Sequence, residues 1–345
     1  MPQTSPKLTE PLLKGLTDRQ KTVLLGRFGL SGAAAAKDTL EAIGKKFGIT
    51  RERVRQIEAS ALGLVGGNIR AFPTAQSILK EGKRVLSANG GVMRKEALID
   101  ALAKEFDGLN ANYLGLLLAA SKAFHAHAED DDLHACYYLD KESLKKAETF
   151  VSQWTSFLKS KKNAILEGTY HDEFKDFVKE KKLSAGHAEQ YVAISKRIHQ
   201  NSFGDMGLTE WPEIRPKTIR DRIYVVLKKQ KKPVHFEDIA RLINDAKLDA
   251  RLAIASTVHN ELIKDPRFVL VGRGMYGLSE HGYKPGTAQE VIARILKQEG
   301  PLKSNEIILA VQKERLFKHN TILVNLQNRS AFERLDDGSY KVREA

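Results

Sequence analysis

The stretch TLEAIGKKFGITRERVRQIEASAL, residues 39–62, decides how the N-terminal part of the chain folds. After Thr39, which is suited to cap a helix, apolar residues recur at helical spacing at Leu40, Ile43 and Phe47. Gly48 suits the left-handed position that ends such a helix, and Thr50 suits the cap of the next one. The stretch therefore predicts a helix, a three-residue turn and a second helix.

Working outward, a further helix is predicted upstream, from the capping pair Thr17 and Gln20 to Gly29. The stretch SGAAAAK, residues 31–37, predicts a loop or a frayed turn. In the helix after Thr50, we expect a break at the glycine pair 66–67. Its predicted buried stripe is Val54, Ile57, Ala61 and Leu64.

Four polar residues fall on the face opposite that stripe, namely Arg51, Glu52, Arg55 and Gln56. Arginine pairs with guanine, glutamine with adenine, and glutamate accepts a hydrogen bond from cytosine. These residues lie in the first turns of the helix, where helix-turn-helix proteins contact bases. The alternative is a solvated helix face in a three-helix bundle.

With LTDRQKTVLLGRFGL, residues 16–30, the stretch resembles region 4 of bacterial primary-type sigma factors, over Leu16 to Leu64. That domain binds the −35 promoter element. The resemblance implies that Arg51, Glu52, Arg55 and Gln56 face the bases. It also implies that Lys45, Lys46 and Arg53 approach phosphates. A further implication is that the domain docks on the flap of the RNA polymerase β subunit.

The chain departs from that family in two respects. The family continues from the recognition helix into a basic tail, whereas this chain reads ALGLVGGN, residues 61–68. In addition, no stretch resembles the family's −10-binding and promoter-melting regions. We therefore do not expect autonomous sigma activity.

Charge supports a polyanionic partner such as double-stranded DNA. The 345 residues carry a net charge of +13, with the excess in 1–70 and in 216–345, whereas 71–140 is net acidic. No apolar run is long enough to span a membrane, and the single cysteine, Cys136, suits a reducing compartment. We expect a cytoplasmic, nucleoid-associated protein.

The last 130 or so residues contain an internal repeat. PVHFEDIARLI from Pro233 aligns with PLKSNEIILAV from Pro301, and RFVLVGRGMYGL aligns with AFERLDDGSYKV. Each copy reads as helix, short extended link, helix, helix and two strands joined by a glycine turn. This order is typical of a winged helix. The fold class is thus predicted as mainly α, with tandem helix-turn-helix and winged-helix modules and short β-hairpin wings.

The first copy resembles the HARE-type helix-turn-helix family, which includes the N-terminal domain of the RNA polymerase delta subunit. The similar strings are PVHFEDIARLI and PRFVLVGRGMYGLSE. In this copy Ser256, Asn260 and Lys264 lie opposite the buried stripe and Arg273 lies at the wing tip, so we expect phosphate contacts there. Asp336 and Asp337 in the second copy's wing would repel phosphate. Protein docking is the competing use of both copies.

The middle of the chain suggests two more winged-helix-like modules, the first with a strand pair around an acidic turn at 130–132. On those strands His125 and His127 could meet His134 and Cys136 around zinc, but the spacing matches no recognised zinc pattern. We therefore predict no metal and no cofactor. Trp211 is expected to be a core residue.

The predicted modules are 1–71 (region 4-like), 72–140, 141–214, 215–283 and 284–345. No phosphate-cradling loop or nucleophile elbow is present, so we expect no enzyme activity and no small-molecule substrate. The predicted function is a sigma-related transcription factor that binds double-stranded promoter DNA and RNA polymerase. Two alternatives remain open: a delta-like polymerase scaffold and a nucleoid-organising protein that coats DNA.

Overall fold

The computed structural model describes residues 9–31, 36–106, 109–315 and 317–343. The chain divides into two compact units, Met1–Ile198 and His199–Ala345. Both are mainly helical with small antiparallel sheets, which confirms the predicted fold class. None of the described helices is long and apolar enough to cross a membrane.

The first unit contains nine labelled helices and three short strands among its described residues. They are α1 Asp18–Phe28, α2 Leu40–Phe47, α3 Arg51–Ile69, α4 Pro73–Ala88, β1 Val92–Arg94, α5 Lys95–Glu105, α6 Ala111–Ala120, β2 His125–His127, β3 Cys136–Tyr138, α7 Lys141–Ser160, α8 Tyr170–Glu180 and α9 Ala185–Ile194. Two short helical turns, Lys162–Ala164 and Ile165–Thr169, connect α7 to α8. Of the loop or frayed turn predicted at 31–37, residues 32–35 lie outside the described residues.

The second unit begins at the strand pair β4 and β5 and continues into two repeats of one motif. Its elements are β4 Ile198–Gln200, β5 Met206–Leu208, α10 Ile219–Gln230, β6 Val234–His235, α11 Phe236–Asp245, α12 Ala255–Lys264, β7 Phe268–Gly272, β8 Met275–Leu278, α13 Ala288–Glu299, β9 Leu302–Lys303, α14 Ser304–Glu314, α15 His319–Leu326, β10 Phe332–Arg334 and β11 Ser339–Val342. Trp211 is buried, as predicted.

One element order occurs three times: helix, short strand, helix, helix, strand, strand. It runs through α4–β3, through α10–β8 and through α13–β11. In all three sheets the last strand lies between the other two, with antiparallel pairing, as β1-β3-β2, β6-β8-β7 and β9-β11-β10. The winged-helix order predicted from the sequence is therefore present. Residues 141–214 instead have the three helices α7 to α9, two short helical turns and the two-stranded β4–β5 sheet.

Helix α3 is longer than predicted and buries a different stripe. It runs through the glycine pair to Ile69, and Leu64 is 46% exposed, so both the predicted break and the predicted burial of Leu64 are wrong. Val65 and Ile69 are buried in its place. The reason is tertiary: a Cβ on Gly66 would lie 2.7 Å from the carbonyl oxygen of Ala120, so the glycine lets α6 pack directly on α3.

The apolar core of the first unit crosses the predicted module boundary at residue 71. Leu24, Val65 and Ile69 belong to the same buried cluster as Leu116 and Leu117 of α6. A smaller cluster of Val23, Ile43 and Val54 lies between α1, α2 and α3. The N-terminal helices and the first winged-helix-like module are thus joined by one core, whereas the five-module division of the whole chain stays a prediction.

Candidate nucleic-acid interface

The turn between α2 and α3 is fixed by its caps and by two glycines. The hydroxyl of Thr39 accepts a hydrogen bond from the amide of Ala42, and that of Thr50 accepts one from Arg53. Gly48 has φ +64°, the left-handed conformation predicted for it. A Cβ on Gly44 would lie 2.7 Å from the carbonyl oxygen of Ile49, so a larger residue would open the turn. These features set the angle at which α3 leaves α2.

An ion pair that the sequence did not reveal holds α1 against α3. The Nε atom of Arg27 lies 3.2 Å from Oε1 of Glu58, and both side chains are mostly buried. Nη1 of Arg27 also donates to the carbonyl oxygen of Asp38 at 2.8 Å. These residues are 31 and 11 positions apart, so no local pattern predicts the contacts. They orient the first half of α3 from behind.

The outward face of α3 carries the four predicted base-reading side chains, Arg51, Glu52, Arg55 and Gln56, all of them exposed. Val54, between them in sequence, is fully buried and anchors the helix to α1 and α2. The structure therefore places the four side chains on one solvent-facing surface.

Two of these four side chains bind each other. Glu52 accepts two hydrogen bonds from Arg55, with Nε–Oε2 of 2.8 Å and Nη2–Oε1 of 2.7 Å. The hydrogen bonds from Arg55 lower the pKa of the Glu52 carboxyl, and the same contact raises the pKa of Arg55. Both shifts favour the charged forms, so the contact between Glu52 and Arg55 is an ion pair at neutral pH.

The three predicted phosphate-contacting residues are exposed, and each has a partner within the chain. Lys45 pairs with Glu41 at 3.0 Å, and Lys46 pairs with Asp38 at 2.9 Å. Nη1 of Arg53 donates to Oε1 of Gln56 at 3.0 Å. Exposed pairs of this kind are weak and exchange readily, so the three cations remain accessible to an incoming anion.

Comparison with known proteins covers the segment that carries this surface. Residues 12–64 match the family model described as "Sigma-70, region 4". This segment is a sigma-70 region 4 helix-turn-helix. The resemblance of its sequence predicted this assignment. The helices α1 to α3, the turn and the exposed face all lie in the region 4 segment or run directly from it.

Two relatives share the region 4 segment. RNA polymerase sigma factor SigA of Listeria monocytogenes serovar 1/2a and that of Listeria innocua serovar 6a are each 55% identical to this chain over 53 residues. The aligned part covers 15% of this chain and 14% of each relative. The likeness therefore extends to region 4 and leaves the winged-helix modules, including the predicted HARE-type resemblance, as sequence-based predictions.

In the first winged-helix copy of the second unit, the predicted contact residues are exposed. Ser256, Asn260 and Lys264 lie on the outer face of α12, and Arg273 lies in the turn between β7 and β8. Lys264 is 3.4 Å from Glu261, which also binds Arg220 at 2.8 Å. Glu261 thus partly neutralises the cation of Lys264 that the sequence predicts as a phosphate contact.

The same copy exposes large aliphatic side chains. Leu252 is 77% exposed and Ile254 is 64% exposed, in the loop that leads into α12. That loop is fixed, because Asn244 exchanges two hydrogen bonds with the backbone of Ala253 and Arg222 donates to the carbonyl oxygen of Arg251. Fixed, exposed aliphatic groups are typical of protein interfaces rather than of phosphate contacts.

The histidine and cysteine residues of the β2–β3 hairpin do not converge. His125 stacks on Tyr138, and His127 binds Asp130 at 2.9 Å. His134 precedes β3, so it does not alternate with Cys136 along a strand as the sequence suggested. In the part of the chain that the structure describes, no three His, Cys, Asp or Glu side chains are grouped as metal ligands.

Proposed function

We propose that this chain is a transcription protein that binds double-stranded DNA in a sequence-specific way. Its region 4 helix-turn-helix would recognise the bases. The observation that carries the proposal is the exposed face of α3, where Arg51, Glu52, Arg55 and Gln56 stand together on a helix fixed from behind by Val54. Arginine and glutamine offer the bidentate donors that major-groove edges accept, and glutamate offers an acceptor for cytosine.

The mechanism proposed is insertion of α3 into the major groove. The four residues would contact base edges, while Lys45, Lys46 and Arg53 neutralise flanking phosphates and so fix the register. In the second unit, Ser256, Asn260, Lys264 and Arg273 are proposed as additional backbone contacts. No step needs a metal or a cofactor, and we propose a non-catalytic, cytoplasmic role.

RNA polymerase is the proposed protein partner, through the β flap, because the two SigA relatives are named as RNA polymerase sigma factors. A second candidate role, that of a polymerase-bound scaffold, is favoured by Leu252 and Ile254, which the first winged-helix copy exposes on a fixed loop. The two roles are compatible in one chain, because they use different modules.

Selection from a pool of random duplexes with purified full-length chain, at near-physiological salt, tests the proposal. An enriched motif is the expected result, and retention should weaken steeply as salt rises. Retention without enrichment would instead indicate a protein that coats DNA. If no duplex is retained, the scaffold role is favoured, and co-purification with RNA polymerase is the next measurement.

A further inference from the structure

A groove of about 390 Å³ lies beside α7, between this helix and the segment that joins α8 to α9. Its volume falls in the range of about 300–1,000 Å³ that is usual for ligand sites. Phe150, Leu183 and Tyr191 give it an apolar lining, and it is open to solvent along one side. Neither the region 4 domain nor the winged-helix copies of the second unit contribute to it.

The apolar lining is rigid. The rings of Phe150 and Tyr191 pack edge to face, with centroids 5.9 Å apart, and Phe150 also packs against Phe177 at 5.6 Å. The hydroxyl of Tyr191 donates to the carbonyl oxygen of Gly90 at 3.1 Å. Because the hydroxyl is already hydrogen-bonded, Tyr191 presents an apolar ring to the groove. A preformed apolar surface of this kind binds an apolar group with little loss of side-chain freedom.

The rim of the groove carries excess positive charge. Lys145, Lys146 and Lys181 line it together with a single acidic residue, Glu142. Lys146 pairs with Glu142 at 2.8 Å, and Lys181 pairs with Glu180 at 2.9 Å. Among the described residues Lys145 has no ion-pair partner, and its side chain is exposed. The rim therefore attracts carboxylates.

We propose that this groove docks an acidic peptide segment of a partner protein, with one aromatic or branched aliphatic side chain inserted against Phe150, Leu183 and Tyr191. The phosphates of a duplex would pair with the lysines, but the apolar lining would stay exposed to water. A small organic anion needs burial of about 70–90% of its surface, which a groove open along one side does not provide. An acidic segment with one apolar anchor satisfies both features.

The test uses fluorescently labelled, capped nonapeptides of Asp and Glu with Phe or Leu at the centre, titrated with the full-length chain. The matched probe has Ala at the centre. We expect the Phe or Leu peptide to bind about tenfold more tightly than the Ala peptide, since burial of one large apolar side chain supplies that factor. A Leu183→Ala variant should lose most of this preference.

Two charge-reversal variants separate the groove from general basicity. Lys145→Glu should weaken binding about fivefold or more, through a faster dissociation and a slower association. Lys141→Glu is the control, because Lys141 is exposed on the same helix but does not line the groove. The control should bind like the unmodified chain, and circular dichroism should show equal helix content in both variants.

Three results would overturn the proposal. Equal binding of the Ala and Phe peptides would mean simple charge attraction, and equal effects of the two lysine variants would place the contact elsewhere. Displacement of the Phe peptide by an equimolar unrelated duplex would assign the groove to nucleic acid. A failure of duplex selection, by contrast, would leave this proposal untouched, so the two can fail separately.

Discussion

Glu52 holds Arg55 through two hydrogen bonds of 2.8 and 2.7 Å, one turn apart on the outward face of α3. The pair occupies the forked edge of the arginine, which is the edge that a guanine would take. In the proposed complex, a duplex would exchange this contact for contacts to bases. Because the pair is exposed, the exchange takes place in water, where it costs little.

Replacement of Arg55 by alanine should weaken binding to the selected sequence by on the order of tenfold to a hundredfold, because a bidentate base contact is lost. Binding to an unrelated duplex should change much less. Electrophoretic mobility shifts with both duplexes measure the two effects. Equal losses on the two duplexes would make Arg55 a phosphate contact.

Glu52→Gln should reduce sequence discrimination in a different way. The variant removes a carboxylate that repels phosphates and releases Arg55 for backbone contacts, so we expect unrelated duplexes to bind more tightly and the specificity ratio to fall. Glu41→Gln is the matched control, since Glu41 likewise pairs with a cation, Lys45 on α2, and the charge change is the same. If both variants change the ratio equally, net charge alone is responsible.

Two glycines of α3 should respond oppositely to alanine. A Cβ on Gly66 would meet the carbonyl oxygen of Ala120 at 2.7 Å, so Gly66→Ala should destabilise the first unit by about 1–3 kcal/mol. Gly63 has no atom within 4 Å of that position, so Gly63→Ala should stabilise the helix by about 0.5–1 kcal/mol. Urea unfolding of both variants tests the signs. Equal shifts would contradict the close packing of α3 and α6.

The only cysteine should be unreactive in the folded chain. Cys136 is buried, and burial raises the pKa of its thiol to about 11. A thiol reagent at pH 8 should therefore label the chain at the rate of unfolding, and labelling should become fast in denaturant. Rapid labelling without denaturant would show that β3 is accessible to solvent.

The acidic turn at 130–132 should keep its structure until the pH falls to about 2. Backbone amides of Leu133 and Asp132, together with His127, lower the pKa of Asp130 from an ordinary 3.8 to about 2. A lowered pKa means that the charged carboxyl stabilises the fold above pH 4, and this contribution is lost as the pH falls through about 2. A carbon-13 titration should give a midpoint near 2. A midpoint near 4 would contradict the turn geometry.

Local chemistry made much of the fold predictable. The caps at Thr17, Thr39 and Thr50 and the left-handed Gly48 depend on neighbours within a few positions, and the structure confirms them. The winged-helix order followed from the repeat. The predicted burial of Leu64 is wrong, because helical periodicity alone does not reveal which stripe meets a distant helix.

The site was predictable in composition but not in its contacts. The outward face of α3 follows from its period, because Val54 and Ala61 fix the buried side. The contact of Arg27 with Glu58 connects positions 31 apart, and the contact of Arg27 with the carbonyl oxygen of Asp38 connects positions 11 apart. Only the folded chain brings these charges together.

The close backbone approach at Gly66 joins α3 and the module α4 to β3 into one rigid body. A hinge between α3 and this module would require their apolar interface to open. That interface is part of the main core of the first unit. A protein that binds the module α4 to β3 would therefore set the orientation of α3 without contacting α3. For the same reason, a transfer of the region 4 segment to another scaffold would have to include α6.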